Sequence, residues 1–305
     1  MSPDEVSVKR KVVGLGELLW DLLPNGKQLG GAPANFAYIT KLLGDEGIVA
    51  SRIGNDQLGS EAMRRLAELR LGTESIQQDK EYATGSVKVE VDTAGQPRFE
   101  IAESVAWDFL EWTSGWQEFA QQADAVCFGS LAQRAPTSRA TIRQFVHSTR
   151  PGAVRVFDVN LRQAFYSAEI LADSMKLANI VKLNHEELAR IMGIFELSHV
   201  DEQSSARRLL ALHNLKLVCV TRGNGGSLLV SNEQWSQHPG YKINVADTVG
   251  AGDAFTAALI HGYLRNRTLR QIGEEANRVG AWVASQPGGM PVPEYELDTT
   301  LRAIK

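Results

Sequence analysis

Cysteine is almost missing from this chain: Cys127 and Cys219 are the only two in 305 residues, far apart and each inside an apolar run. Such a pair excludes a disulfide framework and a thiolate metal site, and fits buried thiols in a reducing compartment. No apolar run approaches the roughly 18–20 residues a membrane span needs. Met1–Lys11 is too polar and charged for a secretory leader, so the cytoplasm is the expected location. Positive charge is not in excess: 32 Lys+Arg against 36 Asp+Glu give a formal charge of −4, which argues against non-specific nucleic-acid binding. Several catalytic signatures are absent too. There is no G-x-x-x-x-G-K-[S/T], which excludes a P-loop enzyme, and no protein-kinase motif set. Gly14-Leu-Gly16 follows a strand-like run, but Leu19 stands where a dinucleotide fingerprint needs glycine; Gly250-Ala-Gly252 fails likewise at Phe255. His185-Glu-Glu187 lacks a second histidine at zinc-hydrolase spacing.

What remains is an ordinary composition, 43% hydrophobic and 22% charged, with length enough for one large α/β domain. Val12–Gly16, Ala125–Phe128, Val154–Phe157, Ile180–Leu183 and Leu217–Val220 read as short buried strands. Helical stretches near Thr137–His147, Ala168–Leu177 and Asp201–Leu212 lie between the later ones. This alternation predicts a doubly wound parallel sheet with ligands beyond the strand C-termini. Pro33 and Gly44 bracket a helix over Ala34–Leu43, and Glu294–Ile304 reads as a final amphipathic helix. Thr84–Ile101 differs: Val87, Val89 and Val91 alternate with Lys88, Glu90 and Asp92 before a turn rich in Asp, Gly and Pro. That pattern predicts an antiparallel hairpin, which must pack on something to be stable.

The chain is organised around Asp247-Thr-Val-Gly-Ala-Gly-Asp253, which runs into a helix over Ala254–Leu264. Small residues at a helix N-terminus let backbone amides converge on an anion, most often phosphate. Asp253 would repel that anion, so it needs a reason: it either accepts a proton from an attacking hydroxyl or merely caps the helix.

With Ala254-Phe255 added, this stretch resembles the C-terminal signature of the ribokinase-like, or phosphofructokinase B, carbohydrate kinases. Other stretches are similar to the same family: Gly16-Glu-Leu-Leu-Trp-Asp21 with Gly30-Gly-Ala-Pro-Ala-Asn35, Gly54-x-Asp56-x-x-Gly59, Asn184-x-x-Glu187 and Thr221-x-Gly223-x-x-Gly226. The resemblance implies one ribokinase-like domain over residues 1–305. Its mostly parallel sheet would be flanked by helices and would carry a small β lid, near 18–30 and 84–103, that covers the sugar and serves a homodimer. It implies an ATP-dependent sugar kinase with Asp253 as general base and an anion hole at Gly250, Ala251, Gly252 and Asp253. Asp21, Gly30, Gly31, Asn35, Asn160 and Arg162 would face the sugar, and Asn184, Thr221, Gly223, Gly226, Gly252 and Asn277 the nucleotide. Magnesium would be reached from Asn184 and Glu187 through water, and potassium from carbonyls near Asp247, Val249, Ala284 and Gly289. On residues alone, Asn184 and Glu187 serve equally well as a capping box, and Gly54–Gly59 as a tight strand-to-helix turn.

The N-terminal third and Val105-Ala-Trp-Asp108 are most similar to the bacterial fructokinase branch, implying fructose as substrate and fructose 6-phosphate as product. Arg162 keeps a 2-keto-3-deoxygluconate kinase open, since a guanidinium suits a carboxylate, and ribokinase is a further alternative. A non-catalytic sugar or nucleotide sensor on the same fold is the rival from another class; Asp253 argues against it. The helix N-terminus is expected to favour ionised Asp253, making it a weak base.

Overall fold

The computed structural model describes residues 9–24, 26–91 and 97–304. The turn expected at 92–96, and most of Met1–Lys11, lie outside these. In chain order the elements are β1 (Lys11–Leu15), β2 (Leu19–Leu23), β3 (Gly26–Gly30), α1 (Ala32–Leu42), β4 (Glu46–Gly54), α2 (Gln57–Glu68), β5 (Ile76–Asp79), β6 (Gly85–Val91) and β7 (Pro97–Ile101). There follow α3 (Ser114–Gln122), β8 (Ala125–Phe128), α4 (Pro136–His147), β9 (Val154–Asp158), α5 (Ala168–Leu177), β10 (Ile180–Asn184), α6 (His185–Ile194) and α7 (Glu202–His213). The chain closes with β11 (Leu217–Thr221), β12 (Ser227–Ser231), β13 (Trp235–His238), α8 (Ala251–Tyr263), α9 (Leu269–Ala284) and α10 (Leu297–Leu301).

The large sheet runs β13-β12-β11-β10-β9-β8-β1-β4-β5. It is parallel from β5 through β11 and turns antiparallel at β12 and β13. The strand order reverses at β1, which lies between β4 and β8. In a doubly wound sheet that reversal opens a crevice beyond the carboxyl ends. Successive residues of one strand feed opposite layers, as the two-residue pleat requires. Val12, Val156, Ile180 and Leu217 pack with α1, α8 and α9, whereas Val13, Phe157, Val181 and Val218 pack with α3 to α7. Cys127 and Cys219 are free and buried. Among the described residues no helix is long and apolar enough to cross a membrane.

The small sheet, β3-β2-β6-β7, joins the two hairpins through a parallel β2–β6 pair. Its second hairpin is anchored by Asp56, which caps α2 by accepting from the Gly59 amide at 2.7 Å. The same carboxylate accepts from the Thr84 amide at 2.8 Å and the Thr84 hydroxyl at 2.7 Å. Helix α1 ends at Leu43 followed by Gly44 at φ 95°, where glycine is unstrained. The turn beyond it is lashed to the far end of α8: the buried Asp45 carboxylate meets His261 Nδ1 and Arg265 Nη2, each at 2.8 Å. The last helix is shorter than the sequence pattern predicts. Pro291 and Pro293 precede it and no side chain caps it, so only Leu297–Leu301 is helical.

Candidate functional site

Two helix N-termini converge beyond the C-terminal end of β1. Helix α8 starts at Gly250, whose φ of 74° suits glycine, and a Cβ there would collide with the Gly289 backbone. No side chain caps α8. The amides of Gly252 and Asp253 have no acceptor among the described residues, which leaves them available to an anion. Asp253 is the third helical residue and does not cap the helix, which removes the capping alternative. Instead its Oδ2 accepts from Asn35 Nδ2 at 2.8 Å. Asn35 lies in the first turn of α1, behind Gly31 at φ 103°. A Cβ on Gly31 would sit 2.5 Å from the Glu17 carbonyl oxygen, and one on Gly30 would sit 2.8 Å from Asp21 Oδ2. The α1 turn and the β2–β3 hairpin therefore meet without room for side chains.

The carboxylates gathered here are destabilised as anions. Burial, then Asp158, raises Asp253 to about 6, against the pull of Asn35, Lys182 and Arg162. Burial outweighs the helix terminus, so Asp253 is a stronger base than the sequence suggested. Burial and the neighbouring Asp247 raise Asp21 to about 6. Glu17 was read only as part of the Gly16–Asp21 stretch and given no role, yet it is only 4% exposed, its Oε2 has no hydrogen-bond partner among the described residues, and burial raises it to about 7. Arg162 is exposed and its charge lowers all three, which places its guanidinium field over the same crevice. Asn160 lies beside it at φ 42°, its carbonyl accepting from Ser130 Oγ at 3.2 Å.

Below α8 lies a polar floor that sequence reasoning also missed. Lys182 Nζ stands 3.1 and 3.2 Å from the two oxygens of Asp158. Thr256 Oγ1 donates to Asp158 Oδ2 at 2.8 Å and lies 2.9 Å from the Gly252 carbonyl. The available signal was a lysine inside the apolar run Ile180–Leu183, since lysine is rarely buried without a partner.

The other expected residues line the remaining strand ends. Thr221 closes β11, and the turn after it carries Gly223 at φ 56° and Gly226 at φ 80°. Asn184 Oδ1 accepts from the Glu187 amide, and Glu187 Oε2 from the Asn184 amide, both at 2.8 Å. The second Glu187 oxygen accepts from Leu161 N at 2.8 Å. This is a complete capping box, and Glu187 keeps only residual lone pairs for a water-bridged metal. Asn277, expected to face the nucleotide, is buried on α9. Its amide nitrogen is spent on Ser227 Oγ at 2.7 Å and the Gly273 carbonyl at 2.6 Å, below the 221–226 turn. Of the cation set, Asp247 joins the two loops, accepting from Val249 N at 3.0 Å and Gly288 N at 3.1 Å. The Ala284 carbonyl is a poor cation ligand because it already accepts from the Ala246 and Asp247 amides. No group of three or more His, Cys, Asp or Glu among the described residues could hold a metal.

A glycine turn at a helix N-terminus, facing a carboxylate at the switch point of a doubly wound sheet, defines a site for anion-directed group transfer. Residues 24–294 match the model of the pfkB family carbohydrate kinases, and the chain belongs to that family. It is therefore a sugar phosphotransferase by family. It is 32% identical to a fructokinase of Klebsiella pneumoniae over 94% of this chain and 97% of that one. It is 31% identical to a sugar kinase of Pyrococcus horikoshii over 93% of each. The structure of the latter in complex with ATP superposes with a TM-score of 0.79, covering 95% of this chain and 99% of that chain at 29% identity.

Proposed function

We propose that this protein transfers the γ-phosphoryl group of ATP to the primary hydroxyl of fructose, with Asp253 as general base. The observation that carries the reading is Asp253 itself: a carboxylate oriented by Asn35 beside the unpaired amides of the α8 turn. A pure binding site for phosphate would gain nothing from that charge. At about 6, Asp253 is ionised at neutral pH yet basic enough to take a hydroxyl proton as the bond to phosphorus forms. ATP supplies the phosphoryl group, and a magnesium ion reached through water from Asn184 and Glu187 would neutralise part of its charge. The amides of Gly252 and Asp253 hold the charge that develops on the transferred group, while the bond from γ-phosphorus to the departing ADP oxygen breaks. Glu187 fits a magnesium only through water, because the backbone occupies both its oxygens. Asp21 and Asn35 hold neighbouring sugar hydroxyls, and the small sheet closes over them.

A neutral sugar fits better than a sugar acid. Arg162 faces the combined field of Glu17, Asp21 and Asp253, so its charge is already matched by the protein's own carboxyls. A substrate carboxylate would enter a site with no surplus of positive charge. The similarity to fructokinases supports the same choice. The test is sugar-dependent ADP release over fructose, ribose, glucose, mannose and 2-keto-3-deoxygluconate. Fructose should give the highest kcat/KM; a tenfold advantage for the keto-deoxy acid would overturn the assignment and make Arg162 its carboxylate partner.

A further inference from the structure

The floor beneath α8 contains a charge pair that the reaction scheme above does not use. Lys182 lies in the middle of β10, 7% exposed, and Asp158 ends the adjacent β9, 4% exposed. Burial alone would strip the lysine of its proton, but Asp158 first, then Glu187 and Asp253, hold it charged. Its ammonium is pressed against the first turn of α8: a Cβ on Gly252 would lie 3.0 Å from Nζ. The Asp158 carboxylate instead meets Thr256, one turn further along the helix. The pair is thus oriented, its positive end toward the α8 N-terminus and its negative end behind. At Asp253 the negative Asp158 is felt more strongly than Lys182, which offsets part of it.

We propose that Lys182 is a positioning residue for phosphoryl transfer: with Asp158 and Thr256 it braces the first turn of α8 from below, and its ammonium, set against Gly252, offsets at Asp253 part of the negative charge of Asp158. This rests on the kinase reading for its purpose, but not for its measurement. The Gly252 carbonyl is tied through Thr256 to Asp158, so the pair also fixes the peptide that presents the anion-binding amides. Around Asp253 the other groups are Asn35 on α1, Glu17 after β1, Arg162 after β9 and the buried Cys127 thiol on β8. Of the cations, Lys182 is the buried one and Arg162 the exposed one, so water screens Arg162 more.

The experiment follows Asp253 ionisation in ligand-free protein by carboxyl ¹³C NMR, with the resonance assigned by Asp253→Asn, alongside the pH profile of kcat/KM. Lys182→Met should move the Asp253 midpoint up by about one pH unit, as expected for one charge lost at close range. Asp158→Asn should move it down, and the double variant should fall between. The acid limb of kcat/KM should follow each shift, with kcat lowered in Lys182→Met and the sugar KM little changed. Midpoints that stay in place, or move the same way in both single variants while only melting temperature falls, overturn the inference. If Lys182→Met does not fold, the double variant must titrate above Asp158→Asn, since they differ only by the lysine charge; equal midpoints overturn it. A wild type that phosphorylates no sugar would sink the kinase reading, and the NMR titration would still decide the role of Lys182.

Discussion

Glu17→Gln offers a quantitative test of how the crevice is built. Glu17 is only 4% exposed, one of its oxygens is unpartnered, and its folded value is about 7 against an ordinary 4.5. A carboxyl raised on folding takes up a proton as the chain folds, so its contribution to stability falls as pH rises through the window from about 4.5 to 7. That rise corresponds to about 3 kcal/mol of destabilisation once pH is above 7. About 1 kcal/mol of it is already present at pH 5, leaving about 2 kcal/mol to appear between pH 5 and 8. Near-complete burial means solvent screening removes little of it. Glutamine has the shape of the protonated acid and no charge, so it escapes the penalty. Urea unfolding of ligand-free protein should give similar stabilities for wild type and Glu17→Gln at pH 5. At pH 8 the variant should be more stable by about 2–3 kcal/mol. Asp21 and Asp253 titrate in the same direction, so the difference between the two proteins is the quantity that counts. Parallel pH profiles, or a variant that loses stability at pH 8, would refute the account of Glu17 as a destabilised buried acid.

Asp253→Asn keeps the size of the side chain and the fold, but it removes the proton acceptor. kcat should fall by at least about a hundredfold, with melting temperature at neutral pH equal or higher because a destabilised buried anion is gone, and ATP affinity equal or slightly improved. Near-normal turnover in a well-folded variant would remove Asp253 from the mechanism. In the wild type, kcat/KM should decline below about pH 6 as Asp253 protonates, and a profile flat to pH 5 would contradict that. Gly250→Ala forces a side chain into a φ of 74° and against Gly289, so it should cost about 1–2 kcal/mol of stability and most phosphoryl transfer. Hydrogen exchange at Gly85–Val91 and Pro97–Ile101 should slow when sugar binds, as expected of a small sheet that closes over it. Equal protection with and without sugar would make it a fixed element.

The strand ends of the main sheet were legible in the sequence because buried parallel strands are short runs of apolar residues bounded by polar ones. Ala125–Phe128 and Ala168–Leu177 match the structure residue for residue. Strand β4 was not read beyond its end because Glu46–Gly54 contains serine, arginine and glycine, so its apolar run is broken. Strand β13 was missed because an antiparallel edge strand keeps polar residues on one face, and Trp235–His238 carries mostly polar ones; β12 was missed because its apolar run is only Leu228–Val230, between two serines. At the site, the glycine turn and Asp253 stood out because their spacing is unusual for a core helix. Lys182 did not, and Glu17 was noticed without a role, since a single charge in an apolar stretch carries no periodic signal. What makes them informative is the neighbours folding brings to them: Asp158 and Gly252 for one, Asp253 and Arg162 for the other.

Asn35 and Asp253, bonded at 2.8 Å, are 218 residues apart, and Asp45 meets His261 and Arg265 across similar stretches of chain. Helix α8 is thus gripped at both ends by the first fifty residues of the protein. A ribosome releases those residues long before the helix exists, so the α1 turn must wait for its partner through most of synthesis. The strands between can pair with near neighbours as they emerge, whereas the crevice cannot form until the last quarter of the chain arrives. The site therefore assembles only once α8 has been made, and a product of translation stopped before Ala251 would lack the crevice.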